Sequence, residues 1–218
     1  MDIERRTAGN TAIVLIDYVT GFAPLIRSQT VAENAAGGRA LVQTANAFGV
    51  PLVVSTGPRH DLRGALYPEI AAVLGEHPVV HRGLSFDAFD DEGFTSAVAA
   101  ASRRHLVVAG LMTDGCVMQT VLSALRAGYE VSVVVDATAS ESAAAHSAAL
   151  ARFTQLGAVP RSWLSLASEL QRSYANVETL TAFREIQSNS PAYAMLNSTL
   201  ANVSAVTAAH PAPANSQG

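Results

Sequence analysis

Three side chains of different chemistry stand where apolar runs of this sequence give out: Asp17 after TAIVLI, Arg82 after VVH, and Cys116 after HLVVAGLMTDG. A thiol is a nucleophile once a neighbouring base takes its proton, and a nearby cation can hold negative charge or a substrate oxygen. Cys116 is the sole cysteine, set between a strand-like run and a helix-like one. The open N–H groups and positive dipole end of a helix start favour a thiolate there. The LMTDG segment also offers backbone N–H groups that could line an oxyanion site. Each residue has a plainer reading as well. A lone cysteine is often a small buried hydrophobe, a strand-end Asp can cap a turn, and an Arg after a strand can be a solvated loop residue.

These groups converge only if the elements carrying them do. TAIVLID (Thr11 to Asp17), PLVVST (Pro51 to Thr56), Pro78 to His81, HLVVAG (His105 to Gly110), Glu130 to Val135 and Ala158 to Arg161 read as strands. Between them Val31 to Phe48, a short segment closing at Val73, Phe94 to Ala101, Asp114 to Ala127 and Glu141 to Leu156 read as helices, with Gly49, Gly128 and Gly157 as stops. Leu164 to Tyr174 and Val177 to Glu185 read as further helices. Strands that are apolar throughout and alternate with helices imply a parallel sheet covered on both faces, so the expected fold class is a three-layer α/β/α sandwich with a six-stranded parallel sheet of Rossmann-like topology. In such sheets ligands bind beyond the carboxyl ends of the strands, where strand order reverses. Asp17, Arg82 and Cys116 all fall at that edge.

The whole chain, 218 residues with 49% apolar composition, suits one domain, expected over residues 1–203, with an Ala/Pro/Asn/Ser-rich disordered tail over residues 204–218. A formal charge of -4 with no basic stripe argues against nucleic acid. One cysteine excludes an internal disulfide framework. The polar N-terminus reads as no signal peptide and no apolar run is long enough for a membrane span, so a cytoplasmic protein with no membrane partner is expected. All 14 basic residues are Arg; lysine is absent.

The segments AIVLIDYVTGF, VVHRGLSFDAFDDEGF, VVAGLMTDGCV with LSALRAGYEVSVVVDA, and HSAALARFTQLGA with SWLSLASEL resemble the isochorismatase-like cysteine hydrolases, in particular their YcaC-type branch. The resemblance spans residues from about 10 to 200. It implies an Asp–Lys–Cys triad, here with Asp17 as general base and Cys116 as nucleophile. The lysine position falls on Arg82, which keeps the charge but cannot exchange protons. The resemblance further implies a non-proline cis peptide at Leu111–Met112, an oxyanion hole from the Met112 and Cys116 N–H groups, and a homo-oligomer, with an octamer as the branch's form. Relatives that hydrolyse nicotinamide bind zinc through Asp-x-His; in STGPRHDLRG, His60 and Asp61 are adjacent, so no metal and no cofactor are expected.

The reaction these readings imply is hydrolysis of a small amide or related C–N bond of a small-molecule substrate through a thioester. Phe22, Phe86 and Phe89 are candidate walls of the pocket, with core or interface packing as the alternative. The acidic residues near the mouth suggest a neutral or cationic substrate. Asp136 reads as a structural cap, and His81 and His146 as packing or capping groups. A binding or assembly protein that has lost activity is the alternative, motivated by the missing lysine. A redox cycle lacks a resolving cysteine, and YVTGFAP lacks the glycine pattern of a dinucleotide-binding turn.

Overall fold

The computed structural model describes residues 4–209. Strands β1 (Thr11–Ile16), β2 (Leu52–Thr56), β3 (Val79–His81), β4 (His105–Leu111), β5 (Glu130–Ala139) and β6 (Val159–Arg161) form one sheet in the order β3-β2-β1-β4-β5-β6, and every neighbouring pair is parallel. Helices α1 (Val31–Phe48), α2 (Pro68–Leu74), α3 (Glu92–Ala101), α4 (Cys116–Arg126), α5 (Ala143–Gln155), α6 (Trp163–Gln171), α7 (Val177–Gln187) and α8 (Pro191–Ala209) follow or separate them. None of the described helices is long and apolar enough to cross a membrane.

Alternating residues of β1 serve two different cores. Ile13 and Leu15 pack with Leu41, Leu166 and Phe183, from α1, α6 and α7. Ala12, Val14 and Ile16 pack with Phe94, Val117 and Phe153, from α3, α4 and α5. Since side chains alternate across a strand, a strand covered on both faces has no position for a polar residue to reach water. Each Leu, Ile or Val buried there contributes about 1.5–3 kcal/mol. Helix α1 starts on a reciprocal cap in which the Thr30 side chain accepts the Glu33 N–H at 3.1 Å and Glu33 accepts the Thr30 N–H at 2.8 Å. It stops at Gly49, whose φ of 65° is left-handed.

The strands and helices expected from sequence are present, with three differences. β5 continues through Asp136 to Ala139 instead of ending at Val135: β4 advances from Val108 to Gly110 while β5 advances from Val133 to Thr138, so an irregular stretch lets the strand rejoin its neighbour. Thr138 Oγ1 bridges that stretch by donating to the Val134 carbonyl at 2.7 Å. Helix α8 was not expected, and it carries the chain helically through Ala209, past Ser204 where a disordered tail was expected to begin. Its Ala-rich run propagates a helix already nucleated, at little cost per added residue. The rest of that segment lies outside the described residues.

Chain order places β1 at the centre. The chain moves outward through β2 and β3, then returns to the other side of β1 for β4, β5 and β6. The reversal therefore lies between the carboxyl ends of β1 and β4. Gly110 makes this approach possible: with φ 146° it lies so close to β1 that a Cβ would sit 2.0 Å from the Ile16 carbonyl oxygen.

Candidate active site

Asp17 is the first residue after β1 and takes a left-handed backbone conformation, φ 53°, with its N–H donated to the Ser55 carbonyl at 2.9 Å. Asp tolerates this region better than most residues. The conformation turns its side chain into the reversal point rather than onward along the strand. Tyr18 anchors the turn from the opposite face: it is buried, and its hydroxyl donates to the Ala137 carbonyl of the irregular β5 stretch. Burial pushes its pKa well above the usual value.

Arg82, directly after β3, reaches across β2. Nη2 donates to Asp17 Oδ2 at 2.6 Å, Nε to Ser55 Oγ at 3.2 Å and Nη1 to the Ser85 carbonyl at 3.1 Å. The ion pair is shut away, with side chains 2% and 6% exposed. A pair this dry is orienting rather than generously stabilising, but removing one partner strands the other charge at a cost of about 3–5 kcal/mol. Arg82 is thus no solvated loop residue; it is a fixed brace on the carboxylate.

Cys116 is the first residue of α4 and is buried. Its thiol pKa is pushed up to about 12, first by burial, then by the Asp17 charge and hydrogen bonding to it, against the opposing pull of Arg82 and Arg63. The helix start therefore does not yield a resting thiolate, as its dipole alone would favour; desolvation and the carboxylate outweigh it. The thiol approaches Asp17 without completing a bond of full hydrogen-bonding geometry, so Asp17 Oδ1 is buried without a partner. One carboxylate oxygen is thus committed to Arg82 and the other is left without a partner.

The turn into α4 is tied elsewhere. Thr113 N–H donates to Ala139 O at 2.9 Å, and the Met112 carbonyl accepts the Gly115 and Val117 N–H groups at 3.0 and 3.2 Å. Among the described residues no acceptor takes the Met112 or Cys116 N–H. The Leu111–Met112 peptide is cis. His146 holds the turn by pairing Nδ1 with Thr113 Oγ1 at 2.8 Å, and His81 pairs with Thr56 Oγ1 at 2.9 Å, so both are structural partners.

Of the aromatic candidates, Phe22 lines a narrow cleft with Asp17, Thr56, Gly57 and Arg63. Phe86 is exposed. Phe89 is not in this cleft: it packs edge-on against Phe94, with centroids 5.3 Å apart, and joins the core beneath α3 and α4. The acidic loop residues are also spent locally. Asp87 accepts the Phe89 N–H and the Ser123 hydroxyl, Asp90 the Ser85 hydroxyl, and Asp91 the Phe94 N–H that starts α3. Asp136 accepts the Trp163 N–H at 2.9 Å and so caps α6. A concavity of about 580 Å³ between α1 and the starts of α6 and α8 is lined by none of Asp17, Arg82 or Cys116.

Sequence reasoning missed Arg63. The signal was Asp-x-Arg in RHDLRG, a spacing that lets Asp61 accept both the Arg63 N–H at 2.8 Å and Nε at 2.7 Å, while its other oxygen takes Nη2. Asp61 is thereby committed to a guanidinium, which holds its pKa down to about 2. Among the described residues no cluster of three or more His, Cys, Asp or Glu side chains could hold a metal ion.

Residues 11–164 match the isochorismatase domain. The chain belongs to the isochorismatase family. Within it the YcaC-type branch is shown by the probable hydrolase YcaC of Escherichia coli, 31% identical over 172 residues that cover 79% of this chain and 83% of the relative. YcaC from Pseudomonas aeruginosa, solved with hexane-2,5-diol and covalent acrylamide, superposes with a TM-score of 0.84 at 32% identity, over 92% of this chain and 99% of that one. The Escherichia coli YcaC structure, described as an octameric hydrolase of unknown specificity, gives a TM-score of 0.86 at 28% identity over 93% and 99% of the two chains.

Proposed function

We propose that this protein is a hydrolase of small amides or related C–N bonds that works through a thioester on Cys116. The observation that carries the reading is the divided carboxylate: Asp17 Oδ2 is held by Arg82 at 2.6 Å while Oδ1 is buried and unpartnered, and the same carboxylate acts on the Cys116 thiol. A buried acceptor left open is costly, and a proton arriving there repays the cost.

As sulfur attacks the carbonyl carbon, Asp17 Oδ1 takes the thiol proton and the C–S bond forms. The Met112 and Cys116 N–H groups hold the developing oxyanion. Protonated Asp17 then gives its proton to the amine nitrogen as the C–N bond breaks. Water attacks the thioester, Asp17 takes a water proton, and that proton returns to sulfur as the C–S bond breaks, releasing the carboxylic acid. Arg82 positions the carboxylate and exchanges no proton, since guanidinium does not deprotonate in this range. With a thiol pKa near 12, proton removal accompanies attack rather than preceding it. The described assembly of a relative as an octamer supports a homo-oligomer here too. The test is release of amine from a panel of small amides: wild type turns over at least one, while Cys116→Ser and Asp17→Asn lose at least about a hundredfold. A panel hydrolysed equally by Cys116→Ser would refute it.

A further inference from the structure

The loop after β2 brings a second guanidinium to the cleft, and it differs from Arg82 in being reachable. The Arg63 side chain is 39% exposed, against 2% for Arg82. The loop is strapped to the segment that follows Asp17: the Gly21 N–H donates to the Arg63 carbonyl at 2.6 Å, the Thr20 N–H to Ala65 O at 2.9 Å, and Val19 bridges Leu66. The strap is close enough that a Cβ on Gly21 would lie 2.4 Å from the Arg63 carbonyl oxygen. The guanidinium lies over the Phe22 ring, 5.6 Å from its centroid, and lines the same cleft as Asp17.

Two of the five guanidinium N–H groups go to Asp61, and among the described residues no acceptor takes the other three. A guanidinium fixed on one side by a carboxylate and on one face by an aromatic ring, with donors left over, has little rotamer freedom left to lose when a ligand binds. Arg63 also feels the charge of Asp17. Asp87, Asp90 and Asp91 of the neighbouring loop already accept hydrogen bonds from Phe89 and Ser123, from Ser85 and from Phe94.

Resting on the function proposed above, we propose that Arg63 is a specificity-determining residue that receives a carboxylate on the acyl portion of the substrate, so that the substrate class is a small amide bearing a carboxylate. Such an anion accepts two parallel N–H bonds from the planar fork. This reverses the expectation of a neutral or cationic substrate. Arg63 then aligns the scissile carbonyl with Cys116 and touches none of the reacting atoms.

The test compares alkylation of Cys116 by iodoacetate, an anion, with that by neutral iodoacetamide, at about pH 9 where enough thiolate forms to react. Dividing one rate by the other cancels changes in thiol pKa and leaves the charge selectivity. Replacement Arg63→Gln is expected to lower the iodoacetate-to-iodoacetamide ratio about fivefold, Arg63→Lys to retain most of it, and Asp61→Asn to raise it. Circular dichroism checks the fold of each variant. If Arg63→Gln does not fold, the rise in Asp61→Asn decides alone. An unchanged ratio in folded variants that still react overturns the Arg63 assignment and leaves the nucleophile standing. A Cys116 that reacts with neither reagent overturns both.

Discussion

Replacing Asp17 by Asn is expected to make Cys116 more reactive toward a simple alkylating agent while abolishing turnover. The carboxylate is one of the forces that hold the thiol pKa up to about 12, and Arg82 and Arg63 pull the other way. Asparagine preserves the shape but removes the charge, leaving the thiol facing two cations. For unit charges roughly 4 Å apart at an effective dielectric of about 20, the lost repulsion is about 4 kcal/mol. That corresponds to about three pKa units. A lower pKa also makes the thiolate a weaker nucleophile, with a Brønsted slope near 0.5, so the net gain in alkylation rate near neutral pH is about thirtyfold. The assay is stopped-flow or mass-spectrometric alkylation by iodoacetamide across pH, with amide turnover measured on the same preparations. A lowered midpoint of the pH–rate profile together with lost turnover supports the base role. A uniform rise without a shifted midpoint would mean only that the site had loosened. An unchanged or slower rate would refute the electrostatic reasoning.

Other consequences follow from the same contacts. Arg82→Gln leaves the buried Asp17 charge unpaired and is expected to destabilise by about 3 kcal/mol in urea unfolding, with the double variant Asp17→Asn/Arg82→Gln losing clearly less than the sum of the single changes. Gly110→Ala would force a Cβ to 2.0 Å from the Ile16 carbonyl oxygen at φ 146°, so a loss of about 3 kcal/mol or more is expected, read as a lowered urea midpoint. His105 is buried with its pKa lowered to about 3, chiefly by burial. Because the unfolded chain then takes up a proton that the folded one refuses, stability falls as pH drops from about 6.5 toward 3, by up to about 1.4 kcal/mol per pH unit. His105→Gln should remove that component, measured as the difference in urea unfolding between the two proteins at successive pH values.

Much of the site was legible because strand ends are legible. TAIVLI, LVVST and HLVVAGL are apolar enough to demand cover on both faces, and that demand fixes which edge of the sheet receives Asp17, Arg82 and Cys116. The state of the thiol was not legible. Sequence shows a helix start, which favours thiolate, but not the desolvation and the neighbouring carboxylate that outweigh it. Phe89 stayed open between pocket wall and core packing, since an aromatic in a loop after β3 carries no mark of the face it will turn to, and it turned to Phe94. Arg63 lay in a loop without periodicity, where only the Asp-x-Arg clamp marked it. The irregular stretch in β5 depends on how β4 and β5 must rejoin after Val108, a pairing constraint that β5's own residues do not encode.

The most direct measurement of the central claim is the intact mass of the protein, acid-quenched at short times after mixing with an activated acyl donor such as p-nitrophenyl acetate, followed by peptide mapping. One acyl group on Cys116 that forms and decays in wild type, accumulates without decay in Asp17→Asn, and is absent in Cys116→Ser is the expected result. An acyl group that never appears, that sits on another residue, or that decays equally fast without Asp17 would contradict a thioester mechanism driven by this carboxylate.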